Sequence, residues 1–498
     1  MKNILLFGAG KSATVLIDYL VQETRRHGWR LTVADSNAET VQSKLGDAPH
    51  TQAAAIDVQV ETQRRSLIKE ADIVISLLPP GLHFLVAKDC VHFEKDLLTA
   101  SYIDDAIRSL ESSLAGKGVL FLCEMGLDPG IDHMSAMQLI HRLRQEGARI
   151  QSFYSHCGGL VAPESDDNPW RYKISWNPRN VVLAGKSGAI YKEGGKEKTM
   201  EYPNLFDASR TVPVEGLGKM AWYPNRDSRP YMQLYGLEKV HNFVRTTLRY
   251  PEFCFGWKNL IELSFTDETI FYETDGMTMQ EFFQQHLANN GFSDWMEKQL
   301  TSRFENTQQL LENLMQLLKA EEEDKETTRE FLVVDDNGKL EELNIEDVKN
   351  QAAVTVAGQM REANLSIKQL VYLGMEDQET LINKGRCSAA DILQFCLEQK
   401  LALHPHDKDM VVMLHQIEYE LKGNKHKVES SLIVKGEDSV HTAMAKTVGL
   451  PLGIAAVLIL QKKIRLSGLH IPVLPEIYEP VLRELSALGI QFRESQSY

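Results

Sequence analysis

The chain has 498 residues, of which 43% are hydrophobic, 25% charged and 8% aromatic, a balance that excludes disordered, collagen-like and low-complexity chains. Lys and Arg total 54 against 69 Asp and Glu, a net charge of −15. That balance argues against nucleic acid or an anionic membrane as the main partner, because both reward clustered positive charge. It leaves open an anionic small substrate in a locally cationic pocket. Six cysteines with no CxxC pair are too sparse for a disulfide scaffold and are expected as reduced thiols of a cytoplasmic protein, most of them core residues. The apolar run after Met1-Lys2-Asn3 is too short for a signal-peptide core. The longest apolar stretch, 450–460, contains Pro451 and Gly453 and falls short of the ~20 residues that span a bilayer.

In chain order, 3–8 reads as a short buried strand, 13–23 as an amphipathic helix and 30–34 as a second strand. Residues 58–71 are polar and helical in character, and 72–78 form a nearly continuous strand run ended by Pro79-Pro80-Gly81. Two more short strands, 96–100 and 119–123, flank a helical segment at 104–115. This alternation predicts an α/β fold whose first 130 residues form a Rossmann-type doubly wound parallel sheet. From about residue 149 turns become dense around strand-like 150–156 and 180–183, and 410–421 with 428–434 alternate about Lys422-Gly423-Asn424-Lys425 as a hairpin. A helix-rich block fills 278–399, with Leu311, Leu314, Met315 and Leu318 at helical spacing and an acidic run at 321–324 that reads as a solvated helix end. The expected organisation is a dinucleotide domain over 1–130, completed by a segment near 440–498. It is followed by a mixed α/β domain over 131–277 and 400–439, interrupted by a small α-helical insertion at 278–399. The helical segments 442–460 and 476–488 could pack on either domain.

The first strand runs into Gly8-Ala9-Gly10-Lys11-Ser12-Ala13 and then a helix. Gly8 permits the tight turn, Gly10 lets backbone approach a pyrophosphate, and Ala13 is small enough for helix–strand packing. The helix N-terminus beyond offers free N–H groups to phosphates. Position after a strand and before a helix makes this a dinucleotide-binding loop, with Lys11 and Ser12 inside it. Asp35 ends the second strand, where a carboxylate can accept hydrogen bonds from an adenosine ribose and repel a 2′-phosphate. No Arg occurs in the following Ser36-Asn37-Ala38-Glu39, so NAD is expected over NADP, with NADP still possible. Asp35 alone does not choose hydride chemistry, since S-adenosylmethionine enzymes also use a strand-end acid.

Three segments then gather polar groups. Thr99-Ala100-Ser101-Tyr102 and the run from Glu124 to His133 both follow strands, so both face the crevice of the glycine loop. The third is His156-Cys157-Gly158-Gly159, with Pro163-Glu164 and the stretch from Trp170 to Trp176 after it. Each has a plainer reading: Leu127-Asp128-Pro129-Gly130 as a turn, Cys157 as an inert buried thiol, His133 as a helix cap. His133, His156 and Cys157 fit no tight ligand pattern, so no metal is expected. Arg226 and Arg249 are basic centres suited to a substrate with several carboxylates, against a plainer role in salt bridges.

Together these segments resemble the saccharopine dehydrogenase family of the L-glutamate-forming type, also called saccharopine reductases. The likeness is carried by Ile75-Ser76-Leu77-Leu78-Pro79, Thr99-Ala100-Ser101-Tyr102, the run from Gly126 to Met134, Cys157-Gly158-Gly159-Leu160, Asn168-Pro169, Arg171-Tyr172-Lys173, Tyr223-Pro224-Asn225-Arg226-Asp227-Ser228, Thr247-Leu248-Arg249-Tyr250 and the run from Ala443 to Pro451. It extends over nearly the full chain, with only helical character in common near 290–390. The glycine loop departs from the family, which often carries an aromatic where Lys11 stands. The resemblance implies a reversible reaction in which saccharopine, water and NAD(P)⁺ give L-glutamate, 2-aminoadipate 6-semialdehyde and NAD(P)H. It implies that Ser101, Asp128, Arg226, Thr247, Leu248 and Arg249 touch saccharopine. Asp35, Leu78, Ala100, Tyr102, Leu127 and Pro129 would line the dinucleotide, and the mixed domain would carry the substrate and a homodimer interface. Asp128 and Tyr102 are the candidates for proton transfer, with Cys157 a third. Two other readings stand beside this one. A related carbon–nitrogen oxidoreductase of polyamine-type substrates would want carboxylates where Arg226 and Arg249 stand. A non-catalytic dinucleotide sensor would need Gly8, Gly10 and Asp35 but neither the arginines nor Asp128 and Tyr102.

Overall fold

A computed structural model describes residues 1–297, 330–334, 340–344, 362 and 364–497. These form two compact units: Met1–Asp167 with Arg171–Cys254 and Leu401–Tyr498, and Asn168–Trp170 with Phe255–Lys400.

The first unit holds two sheets. Strands β1 (Asn3–Phe7), β2 (Arg30–Asp35), β3 (Thr51–Ala55), β4 (Ile73–Ser76), β5 (Asp96–Thr99) and β6 (Leu120–Leu122) are parallel in the order β3-β2-β1-β4-β5-β6, and Gly468–His470 adds a seventh strand beside β6. Strand order reverses between β1 and β4, the place where doubly wound sheets open a ligand crevice beyond their carboxyl ends. β1 and β4 are apolar at nearly every position because helices cover both faces. These are α1 (Thr14–His27), α2 (Ala38–Leu45), α3 (Glu61–Glu70), α4 (His83–Phe93), α5 (Asp105–Arg108) and α6 (Glu111–Leu114). Ile4, Leu6, Ile73 and Ile75 face a core that includes Leu16, Ile17 and Leu20 of α1. Leu5, Phe7, Val74 and Leu97 face the other, with Val86 and Cys90 of α4.

The second sheet is centred on β7 (Arg149–Val161), which follows α7 (Ile131–Gln145). β7 lies parallel to Asn242–Arg249 and antiparallel to Asp409–Leu421, and the latter returns as Asn424–Lys435. The hairpin turn places Lys422 at φ +52 and Gly423 at φ +84, the pair of positive φ values that matches strand twist in two-residue turns.

Several expectations change. Segment 180–183 is not a strand: Pro178–Val182 is helical, with Asn177 accepting from the Arg179 N–H. A cap and an initial proline outweigh two adjacent valines there. Segment 104–115 is two short helices, and α2, β3 and α4 went unread. The C-terminal segment divides its allegiance. The helix Ala443–Leu460 and the strand Gly468–His470 join the first sheet, whereas Arg493–Ser497 pairs with the second. The apolar stretch expected at 450–460 belongs to that helix. It spans 18 residues at a mean hydropathy of 1.9 and is the one helix among the described residues long and apolar enough to cross a membrane, yet 83% of it is buried. Gly453 lies on Leu16 and Tyr19 of α1, where a Cβ would come within 2.6 Å of the Tyr19 ring.

The long segment of the second unit runs from Phe255 to Lys400, where the insertion was expected over 278–399. It is not purely helical: Glu330–Val334 pairs with Leu340–Asn344, and Phe271–Glu273 with Arg386–Ser388. Leu311, Leu314, Met315, Leu318 and the acidic run at 321–324 lie outside the described residues.

Candidate active site

The glycine loop leaves β1 at the switch point. Gly8 adopts φ +99, and a Cβ there would lie 2.7 Å from the Leu77 carbonyl oxygen, so the turn between β1 and the end of β4 admits only glycine. The Ala9 N–H donates to Asp35 Oδ2 at 2.7 Å, and the Asn37 N–H to Asp35 Oδ1 at 3.1 Å. Asp35 therefore braces the loop from the end of β2. Around Gly10 there is open space where a side chain would stand. The Lys11–Ala13 turn leads into α1, whose first turn has no side-chain cap. Open space over glycine and an uncapped helix N-terminus fit a pyrophosphate. Lys44 of α2 adds a cation: its Nζ donates to the Gly10 carbonyl at 2.6 Å and to Thr14 Oγ1 at 2.9 Å.

Beyond β4, β5 and β6 the loops lie side by side. Gly126 packs closely on Ala100. The Tyr102 hydroxyl donates to Asp128 Oδ1 at 2.8 Å, and Arg245 Nη2 donates to the same oxygen at 2.7 Å. Arg245 Nη2 also meets Asp132 Oδ2 at 2.7 Å, and its guanidinium lies 4.2 Å over the Tyr231 ring. Among the described residues both side-chain donors to Asp128 use Oδ1, which leaves Oδ2 open. Burial raises the Asp128 carboxyl above its ordinary value, with Arg245 opposing. At Asp132, burial acts in the same sense but His133, Arg245 and the Gly130 N–H outweigh it, holding this carboxyl below its ordinary range. Burial likewise raises the Tyr102 phenol well above 10.0, which keeps it a neutral donor. Behind this cluster His133 Nε2 meets Glu124 Oε2 at 2.9 Å and Tyr231 donates to the same oxygen at 3.2 Å. Glu124 itself holds φ +58, a left-handed conformation that costs a residue with a Cβ and recurs at functional sites.

The strand Asn242–Arg249 forms the facing wall. Alternation puts Arg245, Thr247 and Arg249 on one face and Thr246 and Leu248 on the other. Leu248 packs with Leu160, Met220 and Val412, so its side chain points away from the site, contrary to its expected contact with substrate. Thr247 hydrogen-bonds Tyr223, whose phenol burial pushes up to about 12. Arg249 is 4% exposed. Its Nη1 donates to the Leu248 carbonyl at 2.8 Å, its guanidinium faces the Tyr172 and Phe253 rings, and its Nε has no hydrogen-bond partner. Among the described residues no carboxylate pairs with it. Arg226 is exposed, at φ +55, with its guanidinium 5.0 Å over the Tyr102 ring and likewise no carboxylate partner among the described residues.

The expected residues therefore fall into groups. Gly8, Gly10, Lys11, Ser12, Ala13 and Asp35 form the loop and its brace, with Lys11 exposed. Leu78, Ala100, Ser101, Tyr102, Leu127, Asp128 and Pro129 sit at the strand ends. Arg226, Thr247 and Arg249 belong to the facing sheet, beside Cys157, which pairs in register with Thr247. Cys157 is buried, and burial drives its thiol well above 9.0, which disfavours the thiolate and leaves Asp128 and Tyr102 the better-placed groups for proton transfer. The sequence reading missed Arg245, Asp132 and His83. For Arg245 the signal was there: it stands four residues before Arg249 in one strand, hence on the same face.

The family profile described as Saccharopine dehydrogenase NADP binding domain matches residues 4–122, and that described as Saccharopine dehydrogenase C-terminal domain matches 126–490. The saccharopine dehydrogenase (NADP(+), L-glutamate-forming) of Saccharomyces cerevisiae is 31% identical over 495 residues, covering 99% of each chain. The alpha-aminoadipic semialdehyde synthase of Arabidopsis thaliana is 31% identical over 517 residues; 99% of this chain aligns with 44% of that protein, so the chain spans under half its length. The solved structure of apo histidine-tagged saccharopine dehydrogenase (L-Glu forming) from Saccharomyces cerevisiae superposes with a TM-score of 0.77 at 27% identity, over 100% of both chains.

Proposed function

Since the chain belongs to the saccharopine dehydrogenase family, we propose that it catalyses the reversible oxidation of saccharopine at its secondary amine, followed by hydrolysis to L-glutamate and L-2-aminoadipate 6-semialdehyde. The observation that carries this reading is Arg249, a buried guanidinium with an unused donor and no carboxylate partner among the described residues. Burying a cation without a counter-charge is costly, and a carboxylate of a tricarboxylate ligand would offset that cost. Arg226, also without a carboxylate partner, would hold a second. A polyamine-type substrate would meet repulsion at both.

The glycine loop, the α1 N-terminus and Asp35 would hold the dinucleotide, which when bound accepts a hydride from the carbon beside the substrate nitrogen. An alkylammonium titrates near ~10, as Lys does, so it must lose a proton before that hydride can leave. Asp128 Oδ2 would take this proton while Tyr102 and Arg245 hold Oδ1. Water then adds to the resulting carbon–nitrogen double bond. The carbinolamine collapses as the glutamate nitrogen leaves, and the proton on Asp128 is returned to that nitrogen.

The finer cofactor reading is NAD before NADP, supported by the Asp35 carboxylate at the ribose end of the loop. Lys44 lies near enough to moderate that preference. A cytoplasmic homodimer, with substrate and subunit contacts carried by the second sheet, completes the proposal. The deciding experiment follows NADH or NADPH formation from saccharopine with the two oxidised nucleotides in parallel. Turnover supports the reading; nucleotide binding without turnover returns the chain to a dinucleotide sensor.

A further inference from the structure

Ser76 ends β4, His83 opens α4 and Ser101 follows β5. Their side chains form one hydrogen-bonded line: Ser76 Oγ lies 2.8 Å from His83 Nδ1, and His83 Nε2 lies 2.8 Å from Ser101 Oγ. The outer members differ in what else they can reach. Ser76 is 0% exposed, and among the described residues the His83 ring is the one side-chain hydrogen-bond partner it has. Ser101 is partly exposed at the crevice.

That asymmetry fixes the protons. A buried hydroxyl that fails to donate pays the full desolvation of its O–H, so the Ser76 proton points at the one acceptor it meets among the described residues, His83 Nδ1. Nδ1 is then bare and the ring proton lies on Nε2, from which it is donated to Ser101 Oγ. With its oxygen engaged by His83, Ser101 turns its own O–H toward the crevice. The opposite tautomer would strand the Ser76 proton and turn the Ser101 O–H onto His83, leaving only lone pairs for a ligand.

We infer that His83 is a positioning residue that makes Ser101 a hydrogen-bond donor, so that this point of the crevice selects a carboxylate or other oxyanion over an ammonium. Burial lowers the imidazole to about 4, with Asp104 the one charge acting against it, and the neutral relay therefore persists across the physiological range. The identity of the oxyanion as a saccharopine carboxylate rests on the function proposed above; the tautomer does not.

The test separates the two. Nitrogen–proton correlation spectra of the ligand-free protein are expected to show the His83 proton on Nε2; a proton on Nδ1 overturns the inference. Ser76→Ala removes the group that fixes the tautomer without approaching the ligand. It is expected to raise the KM for saccharopine about tenfold, the worth of one hydrogen bond, and to leave the KM for the dinucleotide unchanged, while Ser76→Thr restores the parent value. An unchanged saccharopine KM in Ser76→Ala overturns the positioning role. Absence of saccharopine turnover in the parent enzyme would refute the substrate reading, and the spectra would still report the tautomer.

Discussion

Replacing Arg245 with methionine keeps the side-chain volume and removes the charge shared by Asp128 and Asp132. The guanidinium is 2% exposed and stands 2.7 Å from each carboxylate, so water cannot stand in for it. An opposite charge at such range lowers a carboxyl pKa by about 1 to 3 units, and its removal must raise Asp128 by a similar amount from a value that burial already lifts. Asp132 keeps His133 and the Gly130 N–H, so Asp128 responds more. Removing one partner of a buried ion pair costs about 3–5 kcal/mol, enough to draw a proton onto Asp128 near neutrality. A protonated Asp128 cannot accept the substrate ammonium proton. The acid limb of kcat/KM for saccharopine should therefore move upward by about 1 to 3 pH units, with activity recovered at higher pH. Arg245→Lys, which restores a charge without the fork, should move it less. The measurement is a pH profile of kcat/KM for parent, Met and Lys variants, with folding checked by circular dichroism. A Met variant that is folded and slower at every pH, with its acid limb unmoved, would refute the idea that Arg245 sets the charge of Asp128.

Arg249→Met should raise the KM for saccharopine about ten- to a hundredfold, the value of a charge-assisted hydrogen bond of ~1.5–3 kcal/mol, with the nucleotide KM unmoved; equal effects on both would sink the carboxylate assignment. Asp35→Ser should shift the ratio of kcat/KM values toward NADP, while weakening both nucleotides because the Ala9 N–H loses its acceptor; a parent enzyme that already prefers NADP would refute the reading of Asp35. Gly8→Ala places a Cβ 2.7 Å from a carbonyl oxygen at φ +99, and nucleotide titration should show binding weakened at least about tenfold, by ~1.4 kcal/mol or more. Burial lowers His83, His156 and His415 to about 4 each, against ~6.5 in an unfolded chain. Their contribution is complete above pH ~6.5 and lost as pH falls toward 4, at up to about 4 kcal/mol per pH unit with all three titrating; urea midpoints that stay flat across that window would contradict it.

The first sheet was legible because its strands are continuous apolar runs and its loop glycines obey a backbone requirement that any sequence must meet. β3, Thr-Gln-Ala-Ala-Ala, was not, since it lies at a sheet edge, half exposed, and carries no apolar alternation. Helix Pro178–Val182 was misread because its two valines speak for a strand locally, whereas its cap and proline act at the position before them. The site divides in the same way. Residues that contribute their own chemistry at strand ends, such as Asp128 and Tyr102, could be picked out from type and position. Those that act through a partner could not. His83 is a histidine in a helix until topology brings Ser76 and Ser101 to its two nitrogens, and Cys157 is a reactive thiol only until its burial is known.

Net charge and pocket charge are settled by different parts of the chain. Arg245 and Arg249 share one strand face, four residues and so about 13 Å of backbone apart, yet their fates differ. Arg245 sits against α7 and the β6 loop, where Asp132 and Asp128 neutralise it. Arg249 sits among Tyr172, Phe253 and Tyr223, a setting that supplies ring faces and, among the described residues, no carboxylate. On the proposed function the same residue type would thus set a proton at one end of the strand and receive an anion at the other. A ligand that satisfies both must present an amine to Asp128 and a carboxylate several bonds away to Arg249. A short amino acid could not do this and a long one with carboxylates at its ends could, so the proposed function would tie the length of the substrate to the register of a single strand.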